Sequence, residues 1–276
     1  MACQLLNNKK GIIFGALDNK SIAWKIAEKA YEQGAVFTLS NTPVALRFGE
    51  INVLSQKCHA EIIPADATSV SDLEQVFRRT MEIFGGKIDF VLHSIGMSLN
   101  VRKSREYDDI NYDYFMKTID VSALSFHKML QVAKKMDAIN EWGSILALTY
   151  IAAQRTLVGY NDMADAKSLL ESIARSFGYI YGREKNVRIN TISQSPTKTT
   201  AGSAIKGMDG LVDFTDRMSP LGNATAEECA DFSVVLFSDL SRKVTMQNIY
   251  HDGGFSSMAM SLKAMTQYNK SLDEES

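Results

Sequence analysis

Cysteine and proline are scarce in this chain, and histidine occurs only in scattered positions. The three cysteines stand far apart with no CxxC pair, which favours free thiols in a reducing compartment over disulfide bridges. The four histidines lack the spacing of zinc ligands, so we expect no metal site. With only four prolines, and no repeat or low-complexity segment, no linker divides the chain. These absences favour one domain that uses neither disulfides nor metal.

Basic excess and long apolar runs are absent as well. Thirty basic residues against 32 acidic ones give a formal charge of −2, whereas nucleic-acid binders usually carry a basic excess. No stretch approaches the roughly 18 unbroken apolar residues of a membrane-spanning helix. The start, MACQLLNNKKG, lacks the charged region and apolar run of a secretory signal. We therefore expect a cytoplasmic protein that binds neither nucleic acid nor membrane.

Short apolar runs alternate with longer amphipathic ones along most of the chain. The seven candidate strands are Gly11–Gly15, Ala35–Leu39, Glu61–Ile63, Ile88–His93, Gly143–Leu148, Val187–Ile192 and Gln247–His251. The helical patterns are Ser21–Gln33, Val44–Gln56, Ser71–Phe84, Tyr112–Lys135, Gly159–Gly182 and Ala226–Phe237. Strands joined by helical crossovers pair in parallel, and strands that are apolar throughout are covered on both faces. The sequence predicts a doubly wound, seven-stranded parallel α/β sheet with helices on both faces, in one domain over residues 1–256. The polar tail, 257–276, is predicted to be partly disordered.

The first strand ends in Phe14-Gly15-Ala16, ahead of a helix that opens near Ser21. In doubly wound sheets ligands bind beyond the carboxyl ends of the strands. Gly15 permits a sharp turn beside a pyrophosphate, and amides at the start of the Ser21 helix would face that anion. The three-glycine fingerprint is absent, because no glycine follows Gly15 until Gly34. A plain turn with a serine cap fits these residues equally well.

The ends of the next strands also suit a dinucleotide. The second strand ends at Ser40-Asn41, without the acidic residue that favours NADH or the arginine that favours NADPH, so the choice between them stays open. Asp66 follows the third strand, where a carboxylate either accepts a bond from adenine or caps a helix. Gly96, after the fourth strand, brings the backbone close to a cofactor.

Two tyrosines and a lysine follow the fifth strand. Tyr160 and Lys167 are two helical turns apart and share a face, and Tyr150 stands ten residues earlier at the end of the strand. A phenol that donates a hydrogen bond to a developing enolate stabilises its charge, which suits reduction of a conjugated thioester. A nearby ammonium lowers the pKa of a phenol and holds ribose hydroxyls. A packed tyrosine with a surface lysine would show the same spacing.

A second tyrosine–lysine pair, Tyr181 and Lys185, has the spacing used by common short-chain dehydrogenases. It comes at the end of the long helical pattern, just before a strand, and so on the amino side of the sheet. Catalytic groups belong at the carboxyl edge. We therefore interpret YGREK as a helix C-terminus that Gly182 closes.

These stretches together resemble the enoyl-[acyl-carrier-protein] reductases, a divergent branch of the short-chain dehydrogenases. The matching segments are Gly15–Ala27, His93–Gly96, Leu148–Lys167, Val187–Thr199 and Leu236–Ser256. The most specific element is the Tyr160–Lys167 pair preceded by Tyr150. The resemblance implies that NADH, with NADPH not excluded, reduces the 2,3 double bond of a trans-2-enoyl-[acyl-carrier-protein].

The resemblance also implies roles for individual residues. Tyr160 would donate a hydrogen bond to the enolate oxygen, Tyr150 would line the acyl pocket, and Lys167 would bind the cofactor ribose. The implied cofactor-binding residues are Gly15, Ser21, Ile22, Asp66, Ala67, Ile95, Gly96, Lys167, Thr197, Lys198, Thr199, Thr200 and Ala201. The implied substrate-binding residues are Ser98, Tyr150 and Tyr160.

A mobile lid over about residues 197–218 is implied as well, and its three glycines suit a segment that orders on binding. The acidic acyl carrier protein would be guided by basic residues near the lid, namely Lys206 with Lys198 and Arg217. The resemblance further implies a homotetramer built partly from the helices around Tyr112–Lys135 and Gly159–Gly182.

Two other functions remain open at this point. One is a carbonyl-reducing short-chain dehydrogenase, although no tyrosine and lysine four apart lie on the predicted cofactor side. The other is a catalytically inactive dinucleotide sensor, because fold alone does not decide function. Retention of Tyr150, Tyr160 and Lys167 together argues against an inactive site.

Overall fold

A parallel sheet forms the centre of the chain in a computed structural model that describes residues 4–47, 50–200, 202 and 207–275. Within these residues six strands follow one another along the chain: β1 (Lys10–Phe14), β2 (Val36–Ser40), β3 (Ile88–His93), β4 (Ile139–Thr149), β5 (Arg188–Gln194) and β6 (Asn248–His251). Their order across the sheet is β2-β1-β3-β4-β5-β6, and every pair is parallel. The order reverses between β1 and β3, so the predicted doubly wound sheet is confirmed.

The predicted third strand, Glu61–Ile63, is wrong as a full strand. Its pairing with β2 is an isolated bridge between Leu39 and Ile62, flanked by hydrogen bonds from Leu39 N to Glu61 O and from Ile63 N to Leu39 O. Beyond Pro64 the Ala65 amide donates to Asn41 O at 3.0 Å, so the segment stays beside β2 but pairs with it through an isolated bridge instead of a continuous ladder. The sheet therefore has six strands rather than seven.

Eleven α-helices lie in the described ranges. They are α1 (Ile22–Glu32), α2 (Pro43–Leu46), α3 (Glu50–Cys58), α4 (Val70–Phe84), α5 (Leu99–Arg102), α6 (Tyr112–Ile119), α7 (Ser125–Lys135), α8 (Asn161–Lys185), α9 (Met208–Met218), α10 (Ala226–Phe237) and α11 (Leu262–Glu275). None of the helices in these ranges is long and apolar enough to cross a membrane.

Helix boundaries differ from the sequence prediction in three places. The run predicted over Val44–Gln56 divides into α2 and α3, and its residues 48 and 49 lie outside the described ranges. The run Tyr112–Lys135 contains a π-helical turn, Asp120–Leu124, between α6 and α7. Helix α8 passes Gly182 and ends at Lys185, with Asn186 left-handed at φ 56°. Asparagine tolerates this conformation, so glycine is not needed to close the helix.

The tail, for which the sequence predicts partial disorder, contains α11. Ser261 precedes this helix; its hydroxyl donates to Arg217 O and accepts from the Ala264 amide. Contacts between α11 and α9 place the tail beside the segment predicted as the lid.

The apolar core lies on both faces of the sheet, because neighbouring strand residues point in opposite directions. Ile12 packs with α4, α7 and α8 on one face, whereas Ile13 packs with α1, α3 and α10 on the other. Both side chains are fully buried, and each such burial contributes about 1.5–3 kcal/mol. This two-sided core fixes the positions of the strand ends, where the polar residues collect.

Candidate active site

A cleft of about 590 Å³ opens at the carboxyl ends of the strands. It is lined by fourteen residues that the sequence analysis singled out: Gly15, Ser21, Ile22, Asp66, Ala67, Ile95, Gly96, Ser98, Tyr150, Tyr160, Lys167, Thr197, Thr199 and Thr200. These residues come from positions spread over most of the chain, and the fold brings them to one edge. Lys198 does not line the cleft, and Ala201 lies outside the described residues.

Gly15 makes the turn that follows β1. Its φ is +96°, a region that residues with a Cβ rarely adopt, and an added Cβ would lie 2.0 Å from the Ser94 carbonyl oxygen. Its amide donates to Ser40 O at 3.0 Å. Glycine is therefore required here by the neighbouring backbone, and the turn carries the chain along the floor of the cleft.

Ser21 precedes α1 and lines the same end of the cleft. Its hydroxyl donates to Asp18 O at 2.8 Å and makes no cap bond to the helix amides. The serine-cap interpretation of this turn is thus wrong, and the first-turn amides of α1 keep their capacity to face an anion. Asn41, which the sequence analysis gave no binding role, braces the loop by donating to Ala16 O at 2.8 Å.

The Asp66 side chain forms hydrogen bonds within its own turn, which follows the segment paired with β2. One carboxylate oxygen accepts from the Thr68 amide at 2.9 Å and from the Thr68 hydroxyl at 2.7 Å. Burial works to raise the pKa of Asp66, but the bonds from Thr68 outweigh it, so the pKa is lowered and the group stays charged. The capping interpretation is wrong, because Ser69 caps α4 by accepting from the Asp72 amide. Asp66 lines the cleft, which is compatible with the ligand-facing interpretation.

Tyr150 and Tyr160 meet inside the cleft, with ring centroids 5.1 Å apart and planes inclined by 52°. The buried Tyr150 hydroxyl has no hydrogen-bond partner within the described residues. Burial raises the pKa of both phenols, and the neighbouring Tyr150 adds to the rise at Tyr160. The expected lowering by a nearby ammonium is not seen, so both hydroxyls stay protonated and serve as donors.

Lys167 lies two turns beyond Tyr160 in α8 and is almost fully buried, at 8% exposure. Its ammonium donates to Leu148 O at 2.8 Å and to Ile95 O at 3.4 Å, which joins the ends of β4 and β3. Burial lowers the pKa of Lys167 to about 8, and the Glu171 carboxylate works in the opposite direction. The Glu171 oxygens accept from Thr149 at 2.8 Å and from Gln154 at 2.9 Å.

The Ser98 side chain forms a hydrogen bond within the protein, which the substrate-binding role implied for it does not predict. Its hydroxyl donates to Asp162 Oδ1 at 2.6 Å, and the residue is only 3% exposed. Asp162 also accepts from Asn100 and Thr118. Sequence reasoning missed this cluster, because its members are spread from residue 98 to residue 162 and no local motif joins them.

The basic residues expected to guide a carrier protein are paired in the lid region. Lys198 Nζ lies 2.7 Å from an Asp209 oxygen, and Arg217 Nε lies 2.8 Å from an Asp213 oxygen. Lys206, the third residue of this expectation, lies outside the described residues. Thr200 donates to Asp18, which connects the start of the segment predicted as the lid to the loop after β1.

The second tyrosine–lysine pair lies at the opposite edge, as predicted. Tyr181 is buried and donates to Leu130 O at 2.9 Å, and Lys185 forms an ion pair with Asp137. Lys185 also donates to Ile139 O, at the first residue of β4. Both side chains are engaged in structural contacts at the amino ends of the strands.

Comparisons with known proteins agree with this geometry. A family model described as enoyl-(acyl carrier protein) reductase matches residues 15–256. The enoyl-[acyl-carrier-protein] reductase [NADH] 1 of Rhizobium meliloti (strain 1021) is 35% identical over 262 residues, which cover 94% of each chain. A crystal structure of a FabI–NADH complex from Alistipes finegoldii has a TM-score of 0.94 at 68% identity, covering 96% of this chain and 94% of that one. FabI from the same organism has a TM-score of 0.95 at 65% identity, with 100% of both chains covered.

Proposed function

The chain belongs to the enoyl-(acyl carrier protein) reductase family, and from that premise we propose that its cleft reduces the 2,3 double bond of a trans-2-enoyl thioester, with Tyr160 stabilising the enolate. Membership makes the chain an NADH-dependent oxidoreductase of fatty acid synthesis. The observation that supports the residue roles most strongly is the convergence of Tyr150, Tyr160 and Lys167 in one cleft at the carboxyl edge.

The residues of the cleft fit a dinucleotide. Lysine has three N–H donors, and two of those on Lys167 go to the carbonyls of Ile95 and Leu148, which leaves one for a ribose hydroxyl. Gly96 keeps the space in front of this ammonium open, because a Cβ there would lie 3.7 Å from Nζ. At the other end, the uncapped first turn of α1 suits the pyrophosphate. The remaining implied contacts, from Asp66 to Thr200, belong to the same proposal.

Bound NADH supplies the hydride that adds to C3 of the enoyl group. Addition moves the electron pair of the double bond toward the thioester, and negative charge collects on the carbonyl oxygen until C2 takes a proton that comes from solvent water. A protonated Tyr160 donates a hydrogen bond to that oxygen, where a preorganised donor stabilises the transition state. Because burial raises its pKa, the phenol is protonated when the reaction begins and is available as a donor. Tyr150 packs against Tyr160 and restricts the acyl pocket.

The test is loss of NADH absorbance with a trans-2-enoyl thioester, run in parallel with NADPH and with a β-ketoacyl thioester. We expect oxidation of NADH with the enoyl substrate alone. Oxidation with the β-ketoacyl substrate instead would assign the chain to the carbonyl reductases. Tight binding of NADH without turnover of either substrate would support the sensor function.

The acyl carrier protein is the substrate carrier that this activity implies. We propose that it docks beside the lid. Lys198 and Arg217 are each paired with an aspartate, so the approach of an acidic partner has to compete with Asp209 and Asp213 for them. An enoyl-carrier substrate should consequently show a kcat/KM that falls with added salt more steeply than that of a short enoyl thioester.

We also propose a cytoplasmic homotetramer assembled partly through α6 and α8. Four apolar side chains on these helices are exposed: Tyr112, Met116, Tyr179 and Ile180. Exposed apolar groups that cluster on helices are typical of interfaces between subunits. Light scattering on the eluting protein should give four times the mass of one chain, and a monomer mass would exclude the assembly.

A further inference from the structure

The first turn of α8, which carries Tyr160 at its start, is held by a buried carboxylate. Asp162 has no exposed surface and accepts three side-chain hydrogen bonds. Ser98 donates to Oδ1 at 2.6 Å, while Asn100 and Thr118 donate to Oδ2 at 2.8 and 2.9 Å. The donors come from the start of α5, from α5 itself and from α6, so one side chain fastens α8 to both helices.

The backbone on either side of Tyr160 is in an unusual conformation. Gly159 has φ +80° and Asn161 has φ +44°, so the tyrosine lies between two left-handed residues. Glycine adopts the left-handed conformation freely and asparagine tolerates it, so the surrounding contacts decide whether this turn is kept. Asn161 is 8% exposed, and its side-chain amide donates to Arg105 O. Asp162, the next residue, supplies the three bonds that hold this turn in place.

A stabilising role alone does not explain a buried carboxylate at this position. Its three partners are neutral, and a well-packed apolar side chain costs less to bury than a charge without a basic partner. The bonds instead join the turn to the wall of the cleft, since Ser98 lines the cleft. Asn100 extends the connection to the start of α6, because its side-chain oxygen accepts from the Asn111 backbone amide at 3.0 Å.

We propose that Asp162 is a positioning residue that holds the left-handed turn at Asn161 and thereby aims the Tyr160 hydroxyl at the substrate oxygen. The inference depends on the proposed function, since it concerns the same reaction. Its effect is on the chemical step: a small displacement of the donor weakens an interaction that matters most in the transition state.

The experiment compares Asp162→Asn and Asp162→Leu with Asp165→Asn in the full-length enzyme. Asp165 lies one turn further along α8 and, among the residues that the structure describes, accepts from Tyr107 at 3.1 Å, so it is a matched acid outside the cluster. We expect kcat to fall on the order of 100-fold in Asp162→Leu, the loss expected for a donor displaced by about 1 Å. Asp162→Asn keeps the shape and should retain a larger part of kcat. The Kd of NADH, measured by its fluorescence, should change less than kcat in both, and Asp165→Asn should match the unmodified enzyme.

Two outcomes would overturn the proposal: full kcat in Asp162→Leu, or equal losses in kcat and in NADH affinity. If Asp162→Leu does not fold, Thr118→Val, Asp162→Asn and their combination decide the question through their kcat values. If the two residues act together, the fold-loss of kcat in the double variant should be smaller than the product of the two single fold-losses. A double variant whose fold-loss equals that product would contradict the proposal. An unmodified enzyme without enoyl reductase activity would contradict the proposed function itself, which separates the two failures.

Discussion

Helix α8 carries a tyrosine–lysine pair at each end, and the two pairs have opposite surroundings. At its start, Tyr160 and Lys167 line a cleft at the carboxyl edge of the sheet. At its end, Tyr181 and Lys185 contact Leu130 and Asp137 near the amino ends of the strands. The second pair has the spacing of the more common dehydrogenases, yet only the first faces open space.

The difference shows that burial alone does not mark a catalytic tyrosine. Burial raises the pKa of Tyr160 and of Tyr181 alike. What separates them is the partner of each group: a backbone carbonyl satisfies Tyr181, whereas Tyr160 packs against a tyrosine whose own hydroxyl is unpartnered in the described part of the chain. A site can be recognised by hydrogen-bond donors that the fold holds in place but leaves without an acceptor.

The largest effect should come from removing the lysine of the first pair. Lys167→Ala deletes the charge proposed to hold the cofactor ribose, together with the bonds to Leu148 and Ile95, so kcat/KM should fall on the order of 1000-fold and NADH should bind more weakly. Lys185→Ala, the matched change at the other end of α8, should leave both quantities within about twofold, as surface changes usually do. Steady-state rates and NADH fluorescence measure the two. Equal losses in both variants would remove the distinction between the pairs.

Removing the phenol of the first pair should reduce turnover on the order of 100-fold, the loss typical of one oxyanion donor. Tyr160→Phe should leave the Kd of NADH nearly unchanged, because the ring still packs against Tyr150. Tyr150→Phe should have a smaller effect on kcat. The assigned oxyanion role is wrong if both variants turn over at the rate of the unmodified enzyme.

Much of the fold was predictable, because periodicity and strand length follow from local sequence. Helix α10 has the predicted bounds, Ala226–Phe237. The third predicted strand failed because its short apolar run pairs with β2 through an isolated bridge, and the length of a ladder depends on the partner strand as well as on the local sequence. The π-helical turn between α6 and α7 has no local sequence signal that we recognise.

The residues of the candidate site also divide into those that the local sequence predicts and those that it does not. Tyr150, Tyr160 and Lys167 were found because one short segment carries all three. Asp162 was missed because its donors come from other elements, and burial of a carboxylate depends on packing that no motif encodes. The cofactor contact of Lys198 stays a prediction; its ion pair with Asp209, eleven residues away in α9, is a tertiary contact that no local motif shows.

Deprotonation of Lys167 should change the reaction rate and the free energy of unfolding in opposite directions as the pH rises. Burial lowers its pKa to about 8, so kcat/KM should fall about tenfold per pH unit above that value as the ammonium loses its proton. Stability should move the other way. Between about pH 8 and the ordinary lysine value of about 10.4, the unfolded chain binds more protons than the folded one, so this group's contribution to the free energy of unfolding rises with pH. Lys167→Ala should abolish that rise in denaturant titrations, and an unchanged rise would assign it to other groups.

The smallest effect should come from Tyr181→Phe, which tests the second pair by stability rather than by rate. The change removes one buried hydrogen bond to Leu130 O and keeps the ring, so the free energy of unfolding should fall by about 1 kcal/mol. Turnover should match the unmodified enzyme within about twofold, since the hydroxyl lies at the edge of the sheet away from the cleft. Urea titration and steady-state rates on the same preparation measure both quantities. If Tyr181→Phe instead lost turnover as Tyr160→Phe does, without losing stability, the amino edge of the sheet would take part in the reaction. The spacing of tyrosine and lysine would then identify the catalytic pair better than the satisfied hydrogen bond of Tyr181 does.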